Sequence, residues 1–353
     1  MNRPTKKKKL DAPQSIRGAT RESLRAWMKE QGQPAFRAEQ LFQWMHKNQV
    51  ARPEDMHTLP AKIREALLEE DWSRIKLDEV LESSDGTRKL LYKTTDDKLI
   101  ESVLIPMDGY FTQCVSTQVG CRFGCAFCLT AQLGLSRHLG AHEIIDQVYL
   151  AREVELNGWP IRNYVYMGMG EPLDNFKEVV SSCSILIDPK GVDISSRRIT
   201  VSTVGVAPKI PELGKQVPVN LALSLNGTTD EQRAEIMPVN RAYPLAKLRQ
   251  ALLDFPLPSR RRITIEYVML GGFNDRDEDA HRLKALLRGL PVKVNLLPWN
   301  PFSTATFERP ADNRVRSFQK IMLEGGYATS VRTSKGLDIG AACGQLDGTP
   351  DAA

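Results

Sequence analysis

Three of the six cysteines of this 353-residue chain, Cys121, Cys125 and Cys128, fall in one short window with the spacing Cys-x3-Cys-x2-Cys. Thiolates this close repel one another unless a cation neutralises them, so the window predicts a metal centre. A structural zinc site closes four ligands, usually as two short Cys/His pairs, and no second pair lies nearby. A cubane iron–sulfur cluster has four iron corners. Three protein thiolates leave one iron free for a ligand from outside, which suits chemistry rather than the stapling of a fold. Gly120 and Gly124 suit a wrapping loop, because glycine reaches backbone angles that other residues avoid. Phe127, between two cysteines, is placed to shield a cluster from water. The competing readings are a zinc knuckle or buried free thiols.

The rest of the chain is ordinary for a soluble globular protein, with 26% charged and 41% hydrophobic residues. No apolar run reaches the length of a membrane span, and no secretion signal is evident. Closely spaced reduced thiols fit the cytoplasm. The net charge of +5 permits a nucleic-acid partner without demanding one. Residues 1–19, with the run Lys6-Lys7-Lys8-Lys9, read as a basic solvated tail. Residues 20–72 read as a small helical unit. Leu24, Trp27 and Met28 keep helical spacing, Gly32 is placed to end that helix, and Leu59-Pro60 opens another. Arg25, Lys29, Arg37, Lys47 and Arg52 make its exterior basic enough to touch RNA. Residues 73–110 read as a small antiparallel β extension with turns at Ser84-Asp85-Gly86 and Asp96-Asp97. Glu101 in its last strand reads as a solvated carboxylate.

From 111 to 335 strand and helix patterns alternate, which predicts parallel strands joined by right-handed crossovers. The expected strands are 111–116, 164–167, 199–202, 219–225, 263–269 and 292–297. The fold class is α/β, a partial (β/α)6 barrel, and active sites on barrels gather at the carboxyl ends of the strands. Five unusual stretches fall there. They are the cysteine loop, Gly168-Met169-Gly170-Glu171-Pro172, Ser202-Thr203-Val204-Gly205, Ser224-Leu225-Asn226-Gly227 and Pro298-Trp299-Asn300-Pro301. Glycine after one strand is usually only a turn; five such stretches on one face predict a ligand site.

The cysteine spacing resembles that of the radical S-adenosylmethionine (SAM) enzymes. The resemblance implies one [4Fe–4S] cluster per chain on Cys121, Cys125 and Cys128, with the amino-acid part of SAM on the open iron. Gly170, Glu171, Ser202, Ser224, Leu225, Asn226 and Asn300 would then bind SAM. Glu171 is expected to accept hydrogen bonds from its ammonium.

Taken with Cys114-Val-Ser-Thr-Gln-Val-Gly-Cys and Ala341-Ala342-Cys343-Gly344-Gln345-Leu346, these motifs closely resemble the RlmN family of RNA adenine C2-methyltransferases over nearly the whole chain. That resemblance implies two SAM per turnover. One methylates Cys343; the second is cleaved to an adenosyl radical that activates the methyl for addition to C2. Glu101 or Cys114 would take the C2 proton, and Cys114 would release the product by forming a disulfide with Cys343. It also implies 23S rRNA and tRNA as partners, a reducing electron donor such as flavodoxin or ferredoxin, and a monomer. Cys183 has no role and reads as a core cysteine. The chain departs from the family at Asn226, where histidine is common, and at Arg137-His138-Leu139, usually Arg-Asn-Leu. Pro172, Trp299 and Phe302 favour C2 chemistry over that of a C8-specific sister family. The alternatives from other classes are an RNA-binding module with a structural metal and a radical-SAM enzyme acting on a protein or small molecule.

Overall fold

The computed structural model describes residue 12 and residues 14–302 and 306–348. The Lys6–Lys9 run lies outside them. Ten strands form one sheet in the order β1-β2-β3-β4-β7-β8-β9-β10-β11-β12. The first three, β1 (Lys76–Glu82), β2 (Arg88–Lys93) and β3 (Leu99–Pro106), are antiparallel. The parallel set is β4 (Phe111–Cys114), β7 (Ile161–Tyr166), β8 (Ile199–Thr203), β9 (Asn220–Ser224), β10 (Ile263–Met269), β11 (Val292–Pro298) and the short β12 (Thr329–Val331). The six expected parallel strands are thus present, with a seventh short one beyond them. The β extension is not a separate sheet, because β3 pairs with β4 and continues the barrel wall.

Side chains alternate along these strands. One set, including Tyr164, Tyr166, Val201, Leu223, Ile265, Tyr267 and Val294, is fully or almost fully buried. The helices α5 (Ala141–Ala151), α6 (Phe176–Ile187), α7 (Lys209–Gln216), α8 (Asp230–Ile236), α9 (Leu245–Leu253), α10 (Asp277–Leu286) and α11 (Asp312–Glu324) supply the crossovers outside the wall. Burying each such side chain contributes about 1.5–3 kcal/mol. The opposite set follows from strand register. Val165 pairs with Thr200, Ser202 with Ala222, Ser224 with Glu266, Glu266 with Asn295 and Asn295 with Ser330. The inner wall is therefore largely polar.

A second, two-stranded sheet, β5 (Gln118–Cys121) and β6 (Gly134–His138), flanks the one-turn helix α4 (Leu129–Gln132). The N-terminal helices are α1 (Arg21–Glu30), α2 (Phe36–Phe42) and α3 (Ala61–Leu68). They are fastened to the barrel rather than hung from it. Arg17 and Asp146, both fully buried, pair at 3.0 Å, Arg21 pairs with Asp188 at 2.7 Å, and His46 Nδ1 lies 2.9 Å from the Tyr149 hydroxyl. The expected tail therefore ends before residue 19: Ile16 and Arg17 are buried. Part of the basic exterior is also neutralised, since Arg25 pairs with Glu39 at 2.8 Å.

Candidate active site

The cysteine motif sits between β5 and β6, over the carboxyl ends of the barrel strands. Gly120 is required there: at its φ of +76° a Cβ would stand 1.9 Å from the Gly134 carbonyl. Ala126 N donates to the Ile236 carbonyl and the Trp299 indole donates to the Phe127 carbonyl. Cys125, Met237, Leu270 and Trp299 form a small apolar cluster with Phe123, Phe127, Phe302 and Phe307 packed against it. Burial pushes the Cys121 thiol up to about 12 and raises Cys125 and Cys128, and the neighbouring thiols raise Cys125 further. Such a set ionises together only against concentrated positive charge, so the donors fit a metal cluster. Among the described residues no three His, Cys, Asp or Glu converge as they would on a single ion. A cubane, which seats each thiolate on its own iron, requires no such convergence. The fully buried Arg233 adds positive charge beside Cys125. Its guanidinium donates to the carbonyls of Val204, Leu225 and Ser224, and burial pulls it down to about 10.

The glycine-rich loop after β7 is folded by its neighbours. Gly170, at φ +98°, would put a Cβ 2.5 Å from Gln118 Cβ. Gln118 accepts from Glu171 N and donates to Asp174 and to His138 Nδ1. That network gives His138 a place, while Arg137 bridges Glu143 and Asp96. Glu171 is buried. Its carboxylate accepts from Leu173 N at 3.0 Å and Val204 N at 2.8 Å, clasping the ends of β7 and β8, and burial lifts it to about 7. Ser202 and Ser224 lie on the inner wall near this clasp, and Leu225 is buried, with its N–H donating to the Glu266 carbonyl.

Two of the expected SAM contacts have side-chain partners inside the protein. Asn226 is fully buried at φ +57°, a conformation asparagine tolerates, and its amide bonds Val268 N and Met237 Sδ. Its side chain is not offered to the cleft. Asn300 donates to the Cys343 carbonyl at 3.3 Å and accepts from Ser334 and Arg309. It holds the C-terminal segment.

That segment brings Cys343 to the cysteine loop: Leu129 N donates to the Gly344 carbonyl at 2.7 Å. Cys343 is exposed to solvent, while the surrounding protein pushes its thiol up to about 12. Cys114 is buried, and its thiol is raised to about 12 by burial and then by the charge of Cys343. Both are free thiols. Glu101 is not a solvated strand carboxylate. It is fully buried 3.1 Å from the equally buried Lys89 Nζ, and its other oxygen accepts Asp347 N at 3.0 Å. Register places Lys89 and Cys114 opposite Val103, two residues from Glu101, so all three face one side. Burial raises Glu101 and Lys89 opposes that rise. Lys89, Gln118, Arg233 and Glu266 escaped the sequence reading. Cys183 is a fully buried core residue on α6, as expected. A groove of about 470 Å³ between α1 and α6 lies away from these groups, and its Arg21 and Arg25 are already ion-paired.

Comparison with known proteins agrees with this geometry. Residues 115–283 match the radical SAM superfamily, and residues 15–71 match the ribosomal RNA large subunit methyltransferase N-terminal domain. "Dual-specificity RNA methyltransferase RlmN" of Geotalea uraniireducens is 46% identical over 96% of this chain and 98% of its own. The protein of the same name from Geobacter sulfurreducens is 44% identical over 97% of this chain and 94% of its own. The chain belongs to the RlmN family. A crystal structure of a radical SAM methyltransferase from Sphaerobacter thermophilus superposes with a TM-score of 0.84 at 38% identity, covering 96% of this chain and all of that one. RlmN family membership makes this chain a SAM-dependent methyltransferase of the radical-SAM class, which brings with it a [4Fe–4S] cluster, SAM and a need for a reductant. No helix among the described residues is long and apolar enough to cross a membrane.

Proposed function

We propose that this RNA methyltransferase places a methyl group on C2 of an adenine in the peptidyl-transferase region of 23S rRNA and on the adenine next to the anticodon in some tRNAs. The observation that carries the reading is the C-terminal segment, which joins Cys343 to the cysteine loop, to Asn300 and, through Asp347, to Glu101. A one-carbon carrier has to meet the SAM site, the base and the resolving thiol in one cleft, and this segment touches the neighbourhood of each. Cys121, Cys125 and Cys128 would hold one cluster, which when bound supplies the electron that splits SAM.

The chain's own residues would act as follows. The Cys343 sulfur attacks the methyl carbon of a first SAM, and the sulfonium carbon–sulfur bond breaks. A sulfonium beside the thiol supplies positive charge that favours its ionised form. A second SAM is consumed in activating the carried methyl for addition to C2. Glu101 takes the proton from C2; among the two candidates it is favoured over Cys114 because the Lys89 ammonium 3.1 Å away favours its ionised, proton-accepting form. Cys114 then gives up its proton and attacks the Cys343 sulfur; the Cys114–Cys343 disulfide forms as the bond from sulfur to the carried carbon breaks, and that carbon takes up a proton to leave the methyl group on the released product. Gly170, Glu171, Ser202, Ser224 and Leu225 would form the SAM pocket. A single adenine leaves its stack to reach the polar inner wall. The electron donor is of the flavodoxin or ferredoxin type, and the enzyme works as a cytoplasmic monomer.

Mass spectrometry of nucleosides from 23S rRNA and tRNA of a strain lacking the gene tests this. The expected result is loss of 2-methyladenosine, restored by the wild-type gene and not by Cys343→Ala. A methyl group at C8 instead, or no change in either RNA, would refute it.

A further inference from the structure

At the end of the barrel opposite the cysteines, three of the parallel strands share a feature that the proposed chemistry does not use. The turn before β8 carries Arg197 and Arg198, the loop before β10 carries Arg260, Arg261 and Arg262, and Arg162 is the second residue of β7. The fold brings the two runs together across the start of β9. Arg261 donates to the Pro218 carbonyl at 2.7 Å and to Ser196 Oγ at 3.1 Å, and Asn220 donates to the Arg197 carbonyl at 2.9 Å. Arg198 reaches Asn163 of β7 at 3.2 Å, and Arg162 lies over the Tyr110 ring at 5.4 Å.

Among the described residues none of these six arginines forms an ion pair. All are exposed except Arg261, which is half-buried. Arg261 is pulled below its ordinary value by burial and by the charge of Arg197, so the two cations feel each other. Unneutralised guanidinium groups held together on a rigid edge form an anion-binding surface. Their forks match phosphate oxygens in pairs.

We propose that this arginine rim is a second RNA-contact surface, gripping the phosphate backbone of the substrate at a distance from the reacting adenine. The inference rests on the reading of RNA as substrate. An acidic electron carrier is the other polyanion in reach, but it has to approach the cluster. The seven residues of β10 separate rim from cluster end by roughly 20 Å at ~3.3 Å per residue. A folded RNA is large enough to span that length; contacts of this kind set register and affinity rather than sequence choice.

The test is a triple variant, Arg197→Gln with Arg260→Gln and Arg262→Gln, the three that make neither a side-chain hydrogen bond nor a ring contact among the described residues. RNA affinity is measured by titration across salt concentrations, alongside methylation kinetics and RNA-independent SAM cleavage. Three lost phosphate contacts lower the slope of log K against log salt by about 2–3. The KM for RNA rises while kcat and SAM cleavage hold, as for binding shared by ground and transition states. A variant that keeps the wild-type slope and KM overturns the rim. So does a variant whose only defect is slow reduction by a flavodoxin-type carrier, which would assign the arginines to that carrier. If the wild type itself binds RNA without salt dependence, the RNA reading fails first and takes the rim with it.

Discussion

Lys89→Met isolates the contact that readies the proposed base. Lys89 Nζ and Glu101 Oε1 stand 3.1 Å apart with no solvent access to either side chain. Breaking such a pair from one side typically costs about 3–5 kcal/mol, because a charge is left buried alone. Glu101 can escape by taking a proton. Its ordinary value is 4.5, so holding it protonated at pH 7 costs about 1.36 kcal/mol for each of ~2.5 units, or about 3 kcal/mol. The direction with pH follows. A carboxyl raised in the folded state favours folding below 4.5 and loses that advantage as pH climbs toward the folded value. Removing Lys89 raises Glu101 further and widens that window upward. Urea unfolding of anaerobically prepared protein from pH 5.5 to 8 is expected to show a stability gap from wild type that grows with pH. The acid limb of the methylation profile is expected to move to higher pH. Lys89→Arg keeps the charge and should restore most of both. A gap that is small and independent of pH, with an unmoved profile, would mean that Glu101 owes nothing to Lys89. Loss of activity in Lys89→Met with Glu101→Gln still active would instead remove Glu101 as the base.

Replacing Cys121, Cys125 and Cys128 together by Ala should abolish iron, sulfide and the brown absorption of anaerobic protein; full retention on analysis would end the cluster assignment. Cys114→Ala should accumulate a protein–RNA adduct linked through Cys343, seen as a nuclease-sensitive band on denaturing gels, and normal methylation without that band would exclude Cys114 as the resolving residue. Glu171→Ala should weaken SAM binding by about 1.5–3 kcal/mol by calorimetry. Because Glu171 sits near 7, SAM affinity of the wild type should fall as pH drops through that value, and a flat response between pH 6 and 8 would contradict an ammonium contact.

The strands and the cysteine loop could be read from the chain because their signals are local. Apolar and β-branched runs separated by helical patterns mark parallel strands, and thiols close in sequence cannot avoid being close in space. What escaped was set by neighbours distant in sequence. Glu101 looked solvated because nothing in Ile-Glu-Ser-Val announces that Lys89 faces it from the adjacent strand. Asn226 and Asn300 stand at strand ends where ligand contacts are expected, but their amides are consumed by Val268 and by the Cys343 carbonyl. Arg233 looks like a surface residue of a polar helix, yet it is fully buried and laces together the ends of β8 and β9. Thr264, Glu266 and Val268 share one side of β10, and only register across the sheet joins that side to Ser224 and Asn295 in a polar inner wall.

The C-terminal segment ties these pieces into one constraint. It is anchored at its start, where Asp338 bonds Ser83 and Ser84 and Gly336 N donates to Asp85, and near its end, where Asp347 N donates to Glu101. Between those anchors Gln345 donates to the Pro301 carbonyl, Thr130 to the Leu346 carbonyl and Asn300 to the Cys343 carbonyl. Gly344, at φ +85°, packs where a Cβ would come within 3.2 Å of the Phe127 carbonyl. The cysteine loop, Glu101 and Cys343 therefore cannot be displaced independently. A shift of the segment that moves Cys343 also strips Glu101 of a donor and Leu129 of its acceptor. Positioning of this kind is what a reaction between a carried carbon and a remote base demands, because small misplacements of reacting groups are costly in rate. It also shows how Cys343 reaches the cysteine loop: between Gly336 and Asp347 the segment crosses the β extension, the cysteine loop and the β11 end.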